Sequence, residues 1–420
     1  MIAKTLQRLP PLVLVTILLL TACARATATP EPTAVPTEPP IQASVELPPA
    51  DPSEPVVVTP PEVPGECIDA PIPEVQVREA DETDWVKGAR LEEATMVLYE
   101  YSDFQCPACS AMAPVIDSFV DLNPGVALVY RHFPLDYNPY AQIMAEASEA
   151  AGAQGKFWEM HDLIFAGLLD WSSLDSEAMV RTLLSAYAEE LGLDVAQFDA
   201  ALEAGTYSAK VERHYDEARE MGLPGTPSLI FGNVLFPSDI GLSFEGLLAF
   251  YNILDRQDEI FFPAPPELTI SAEDDFTAVL KTAKGDVRIA LLPESAPVHV
   301  NNFVFLAQEQ WYNGSDFFFV RDDFVAVTGD PTNSTVGYPG YYCQGETQGT
   351  FDRAGLVGML SNGQFFLTLG ADASQLSGQF ALIGQVIEGL EVLDTLTRRV
   401  VGDPAAPAAD SIQSIDIIQQ

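Results

Sequence analysis

Two cysteines separated by two residues, in Cys106-Pro107-Ala108-Cys109, are where this chain could most directly do chemistry. A thiol held as its thiolate attacks disulfides. A second thiol one turn away can close or release the mixed disulfide that results. The charge needs support from the fold. The run Val97-Leu-Tyr-Glu-Tyr-Ser-Asp-Phe-Gln reads as an apolar strand and a short loop, and Ser110 to Leu122 reads as a helix. That order puts Cys106 at a helix N-terminus, where the dipole and unpaired backbone N–H groups favour a thiolate. A CxxC can instead be half of a zinc site. No second CxxC or paired His/Cys set accompanies this one, so neither a metal nor a cofactor is expected.

The other three of the five cysteines bear on compartment. Lys4 and Arg8 precede a short apolar stretch, Leu12 to Leu20, too short for a mature membrane span. Leu20-Thr21-Ala22-Cys23 follows and resembles the bacterial lipobox, which implies a signal peptide over 1–22 and a lipid on Cys23 that holds the mature chain outside the membrane. Residues 23–66 are rich in Pro, Thr, Ala and Glu and lack apolar periodicity, so they read as a disordered, semi-stiff tether. Cys67 and Cys343 are left over. In an oxidising compartment they could form a structural bridge or remain two separate thiols. The net charge of −41 excludes nucleic acid as a partner, because phosphate binding needs clustered Lys and Arg.

The 420 residues suit two domains after the tether. In the first, 67–255, Thr95–Tyr101 and Ala127–His132 read as strands. A long Ala-, Glu- and Leu-rich stretch from Tyr140 to Met221 has helical periodicity, broken near Trp171 and at Gly192. Gly222-Leu-Pro-Gly-Thr226-Pro227 then leads into another strand, with proline at its entrance. His132 and Trp158 read most simply as structural residues.

These features together resemble the thioredoxin-fold oxidoreductases of the DsbA type. The lead-in to Cys106, the segment Tyr130-Arg-His132-Phe-Pro, the inserted helices and Gly-Thr-Pro before a late strand carry the resemblance. It implies an α/β thioredoxin fold with a helical insertion. It makes Cys106 the exposed attacking thiol and Cys109 the resolving thiol. Pro227 matches the family's cis-proline, which faces the dithiol and holds substrate peptide, and Thr226 would shape the redox potential. Strongly oxidising members have a histidine where this chain has Ala108, which implies a milder poise.

Residues 256–267, with Phe261-Phe-Pro-Ala-Pro-Pro, read as a linker. In 268–420, strand patterns at Phe276–Thr282 and Gly285–Leu291 and a helical stretch over Pro293–Gln308 precede strand-and-turn sequence. Ala296-Pro-Val-His-Val-Asn-Asn-Phe, Trp311-Tyr-Asn-Gly, Thr328-Gly-Asp-Pro, Gly337-Tyr-Pro-Gly-Tyr, Gln364-Phe-Phe-Leu-Thr-Leu and Ile383-Gly-Gln-Val-Ile-Glu-Gly-Leu resemble the cyclophilin peptidyl-prolyl isomerases, in order and spacing. The resemblance implies a closed β-barrel and an apolar proline pocket built from Phe324, Val325, Phe366 and Leu376, with Gln364 beside it. The family's arginine position holds Phe319. Arg321 lies two residues on, about 7 Å further along a strand. The family's glutamine, tryptophan and histidine positions hold Val327, Gln375 and Phe380.

The combined expectation is a lipid-anchored, extracytoplasmic folding factor. It would exchange disulfides with unfolded or newly exported polypeptides, draw on a redox partner for the dithiol, and use the second domain for peptide binding or weak prolyl isomerisation. The alternatives are a non-enzymatic surface or scaffold lipoprotein with a degenerate second domain, and a chain whose main activity is prolyl isomerisation.

Overall fold

A computed structural model describes residues 61, 63–237, 240–403 and 405–420. The leader, Cys23 and the tether as far as residue 60 lie outside the described residues. The first described strand, β1 (Glu66–Asp69), is followed by β2 (Trp85–Gly88), β3 (Met96–Ser102), α1 (Pro107–Leu122) and β4 (Val126–His132). Six helices come next: α2 (Ala141–Gly152), α3 (Phe157–Ala166), α4 (Leu168–Trp171), α5 (Glu177–Glu190), α6 (Val195–Glu203) and α7 (Ser208–Glu220). The chain then returns through β5 (Ser228–Phe231), β6 (Val234–Leu235) and α8 (Phe244–Ile260). These strands form a five-stranded sheet in the order β2-β4-β3-β5-β6, with β3 parallel to β4 and the other pairs antiparallel.

β3 is the central strand, and its alternation assigns residues to two sides. Leu98 faces a core shared with Ile116 and Phe119 of α1 and Leu247 and Phe250 of α8. Tyr99 and Tyr101 face a second core, with Ile230 and with Ala218 of α7. Glu100 and Ser102 share the parity of Leu98 and so turn toward α1. The helical insertion α2–α7 builds its own core and joins it to Cys109, Phe104 and Tyr130.

The remaining elements are β7 (Phe276–Thr282), β8 (Gly285–Leu291), α9 (Pro297–Gln308), β9 (Phe319–Val320), β10 (Val325–Thr328), β11 (Tyr341–Gln344), β12 (Leu356–Met359), β13 (Phe365–Thr368), a 3₁₀ turn over Ala371–Leu376, β14 (Ala381–Glu388), α10 (Leu390–Asp394) and β15 (Ile412–Gln419). Eight strands form one antiparallel sheet in the order β15-β7-β8-β14-β12-β13-β10-β9. It curls around α9 as a half-barrel. Its two end strands are not laddered to each other; bridges at Asp316–Ser411 and Val320–Arg399 tie the edges together. The inner core contains Leu280, Ile289, Phe303, Phe365, Leu367 and Ile383.

Two features differ from the expected partition of the chain. β1 pairs antiparallel with β11, so this segment lies on the second half of the chain. Cys67 stands opposite Cys343 in that ladder, and the two are joined by a disulfide. The stretch read as a linker begins inside α8, whose last residue, Ile260, packs into the inner core of the curled sheet. The Ile260 carbonyl accepts from Trp311 Nε1 at 2.9 Å, and the Phe262 N–H donates to the Pro339 carbonyl at 3.0 Å. Prolines at 263, 265 and 266 mark only the stretch after this docking point.

Candidate functional site

Cys106 is the N-cap of α1, with extended φ −85° and ψ 120°, and Pro107 occupies the first helical position. Proline is suited there because its missing N–H would have had no helical partner. The Cys109 N–H points back at Cys106 Sγ, 3.4 Å away. From the other side, β5 runs antiparallel to β3 with Tyr101 opposite Ser228, which carries the preceding Thr226-Pro227 to the dithiol. The Thr226–Pro227 peptide bond is cis. The Cys106 thiol lies 3.3 Å from the Thr226 carbonyl oxygen. Both cysteines are present as thiols.

The two thiols differ sharply. Cys109 is 0 % exposed, and burial drives its ionisation far above the ordinary range, with the neighbouring Cys106 adding to the shift. Cys106 is pulled down to about 6, chiefly by its hydrogen bond with Cys109 and against the opposing effect of burial. Thr226 and the backbone N–H groups of Cys109 and Ala108 add to the lowering. The expectation of an exposed Cys106 needs correction, since it is only 9 % exposed. The Thr226 loop covers it, and the exposed surface beside it belongs to Pro107 and Ala108.

Sequence reasoning did not single out the polar group beneath the dithiol. Glu100, Ser102 and Tyr130 are buried, and Glu100 Oε1, Ser102 Oγ and Tyr130 OH have no hydrogen-bond partner of regular geometry among the described residues. Ser102 acts on the ionisation of Cys109, Glu100 and Tyr130, which places it among all three. Burial raises the Glu100 carboxyl to about 7. Toward the surface, Lys87 Nζ pairs with Asp117 at 2.6 Å, and the charges of both reach Glu100. The sequence signal was the alternation Leu98, Glu100, Ser102 on one face of an otherwise apolar strand.

Asp103 fixes the approach to Cys106. Its carboxylate accepts from the N–H of Gln105 at 2.7 Å, the N–H of Leu135 at 2.8 Å and Asn138 Nδ2 at 2.7 Å. His132 is buried and 2.9 Å from Glu149, which also accepts from Trp85 Nε1 and Lys210. It therefore joins β4 to the helical insertion. Trp158 is partly buried against the two cores beside α1.

In the curled sheet, Phe324, Val325 and Phe366 belong to a second apolar cluster on the outer face, with Leu376 of the 3₁₀ turn and Phe380 of the bend before β14 packed against it. Register explains the division. Val327 pairs with Phe319 on one side and Phe366 on the other, and all three lie in this cluster. Ala326 pairs with Val320 and Leu367, which face the inner core. Gly358, opposite Phe366, leaves space for the Phe366 and Phe351 rings, which a Cβ there would strike. Phe366 is only 2 % exposed, so the floor of the cluster is closed by its own side chains. Gln364 is buried below it, and its Nε2 donates to the Thr335 and Gly337 carbonyls at 3.1 Å each, so this amide holds a loop. Phe319 and Phe380 leave the rim aromatic at positions where the cyclophilin resemblance implies polar groups.

Comparison with known proteins divides the chain in the same way. Residues 81–247 match the family model described as Thioredoxin, and residues 277–417 match that of the cyclophilin type peptidyl-prolyl cis-trans isomerase/CLD. Among curated proteins, the Na(+)/H(+) antiporter NhaA 1 of Salinispora arenicola is 37% identical over 158 residues, which are 37% of this chain and 23% of that protein. NhaA of Herminiimonas arsenicoxydans is 36% identical over 148 residues, 35% of this chain and 22% of that protein. The chain thus spans less than a quarter of the length of these relatives. Among solved structures, a thioredoxin-like oxidoreductase from Silicibacter pomeroyi is 27% identical, with 43% of this chain and 94% of that one covered and a TM-score of 0.34. BdbD from Bacillus subtilis is 18% identical, with 46% and 100% covered and a TM-score of 0.36. A cyclophilin type isomerase from Cryptosporidium parvum is 25% identical, with 34% and 98% covered and a TM-score of 0.30.

Proposed function

For a chain that joins a thioredoxin-like domain of the DsbA type to a cyclophilin-type domain, we propose the function of an extracytoplasmic folding factor that exchanges disulfides with exported polypeptides through Cys106 and Cys109. The observation that carries this reading is the asymmetry of the dithiol. Cys106 is capped by backbone N–H at a helix start, lowered to about 6 and set against Thr226, while Cys109 is buried and held as a thiol. A thiol with a pKa near ambient pH combines thiolate population with retained nucleophilicity.

In the oxidising direction, a client thiolate attacks Cys106 Sγ of the Cys106–Cys109 disulfide. The S–S bond breaks, its electron pair leaves with Cys109, and Cys109 takes up a proton in a pocket that disfavours its charge. A second client thiolate then attacks the client sulfur of the mixed disulfide and expels Cys106 as the thiolate. The client loses two electrons and the dithiol gains them. A redox partner must remove them to restore the disulfide. In the reverse direction, the Cys106 thiolate attacks a wrong client disulfide, and Cys109 resolves the intermediate.

The resemblance of Leu20-Thr-Ala-Cys23 to a lipobox supports an anchored, extracytoplasmic placement. Among the described residues, no helix is long and apolar enough to cross a membrane. In this reading Pro227 and Thr226 hold client backbone beside the thiolate, and the outer apolar cluster of the second domain takes client segments that contain proline. Phe324, Phe366 and Leu376 form its floor and wall.

The test is incubation of the full chain, in a glutathione redox buffer, with a reduced, denatured client that needs disulfides. The expected result is faster recovery of native disulfides, lost in Cys106→Ala. Equal recovery with the unaltered chain, the variant and buffer alone would reject the reading.

A further inference from the structure

Two connectors join the two halves of the chain, and they run side by side. One is the end of α8. The other is a strap over residues 63–80. Both land on residues 338–342. From α8, the Phe262 N–H donates to the Pro339 carbonyl at 3.0 Å, and the Phe261 ring centre lies 4.9 Å from that of Tyr338. From the strap, the Ala70 N–H donates to the Gly340 carbonyl at 2.9 Å, and Tyr338 OH donates to the Ala70 carbonyl at 3.1 Å. At their other end the two meet again, because Ile72 of the strap packs on the core that holds Phe250 and Leu254 of α8.

The strap is held unequally along its length. Its later part belongs to the first half of the chain. The Val75 N–H donates to the Asn233 carbonyl at 2.7 Å, and Val77 and Ala80 pack beside Tyr99. Arg78 pairs with Glu217 at 2.7 Å and with Asp84 at 2.9 Å, and its carbonyl accepts from the buried Arg131 at 2.8 Å. Its earlier part, β1, has far less to hold it. β1 forms a two-stranded ladder with β11, and of its four side chains only Cys67 is not exposed. A two-stranded ladder without an apolar face is marginal in water. The covalent hold is the disulfide from Cys67 to Cys343, which is 0 % exposed and so roots the bridge in the second half. Between Asp69 and Glu74 the strap carries Pro71 and Pro73, which stiffen the crossing.

A single connector turns about its own backbone bonds, whereas two connectors pinned at both ends do not. We propose that the Cys67–Cys343 disulfide is a redox latch on the relative orientation of the two halves. Closed, it keeps β1 on β11 and the connection double. Opened by a dithiol reductant, it frees β1 and leaves the end of α8 as the connection about which the halves turn. The attack falls on Cys67, the partly exposed member of the pair. A reductant thiolate bonds to Cys67 Sγ, the S–S bond breaks, and its electron pair leaves with Cys343, which takes up a proton as a buried thiol. The second reductant thiolate then attacks the reductant sulfur of the mixed disulfide, expels Cys67 as the thiolate and closes a disulfide within the reductant. The bridge gains two electrons and the reductant loses them. Cys106 and Cys109 take no part.

The test combines hydrogen exchange, read by mass spectrometry, with small-angle X-ray scattering of the full chain. The latch is opened by Cys67→Ala, which leaves Cys343 in its packed place. Residues 63–70 and 341–344 should lose exchange protection, while β3, β4, β7 and β8 keep theirs, and the pair-distance distribution should widen. Dithiothreitol added to Cys106→Ala, in which the latch is the disulfide left to reduce among the described residues, should give the same changes; it decides the matter if Cys67→Ala fails to fold. Protection of β1 that survives both openings, or that is already missing in the unaltered chain, overturns the proposal. Loss of protection at β1 with an unchanged pair-distance distribution also overturns it, because the strap would then open without turning the halves.

Discussion

The dithiol and the outer apolar cluster are built by opposite routes. At the dithiol, reactivity comes from the framework. A helix start, a backbone N–H, a covering loop and a buried wall separate two identical side chains into a thiolate and a thiol. At the outer cluster, the framework supplies only a floor. Phe324, Val325 and Phe366 are in place, and the polar group beside them is a long side chain at the rim, Arg321 over the Phe324 ring. Chemistry set by backbone geometry survives wherever the fold survives. Chemistry carried by one exposed side chain can shift position or vanish while the sheet stays intact.

This contrast predicts mirror-image effects of mutation. Cys106→Ala should bring client disulfide exchange down to background, with a denaturation midpoint close to that of the unaltered chain. Cys109→Ala should accumulate a mixed disulfide with the client, seen by mass spectrometry of the quenched reaction. A Cys106 variant that exchanges normally, or unfolds, breaks the contrast from the first side. Phe366→Ala removes a ring 2 % exposed and should cost the curled sheet about 3–5 kcal/mol in denaturant unfolding, followed there by hydrogen exchange. Thiol exchange should be unchanged. A parallel loss at the dithiol would show that the two regions are not energetically separate.

A smaller, pH-dependent effect sharpens the dithiol side. The Glu100 carboxyl is raised by burial from 4.5 to about 7, so its ionised form costs the folded state stability. That cost is absent below pH about 4.5, grows as pH rises toward 7, and levels at about 3 kcal/mol above it. Glu100→Gln should therefore gain stability relative to the unaltered chain at pH 8 but not at pH 4, in paired denaturant titrations. A pH-independent difference would place Glu100 in an ordinary, solvated setting.

Much of this was legible in sequence because short-range order carries it. Cys106 before a helix, Thr226-Pro227 before a strand, and the strands Phe276–Thr282 and Gly285–Leu291 are local patterns, and the structure keeps them within a residue or so. What stayed hidden depends on distant partners. Glu100 and Ser102 read as ordinary members of an apolar strand until Tyr130 and Cys109 are seen around them. Covering of Cys106 comes from Thr226, 120 residues away. Gln364 reads in sequence as a polar residue beside the pocket, and only the carbonyls of Thr335 and Gly337 show what its amide holds. β1 carries no signal that it will pair with β11, and α8 runs past the expected boundary because Ile260 finds its apolar surroundings in the other half of the chain.

One thiol of the pair is a poised nucleophile and the other is not. The rate of iodoacetamide alkylation of each cysteine in the reduced full chain as a function of pH, read by peptide mass spectrometry, tests this asymmetry. Cys106 labelling should rise with pH through a midpoint near 6, while Cys109 stays unlabelled in the folded protein. A Cys106 midpoint at the ordinary thiol value of about 8.5, or equal labelling of both residues, would contradict it.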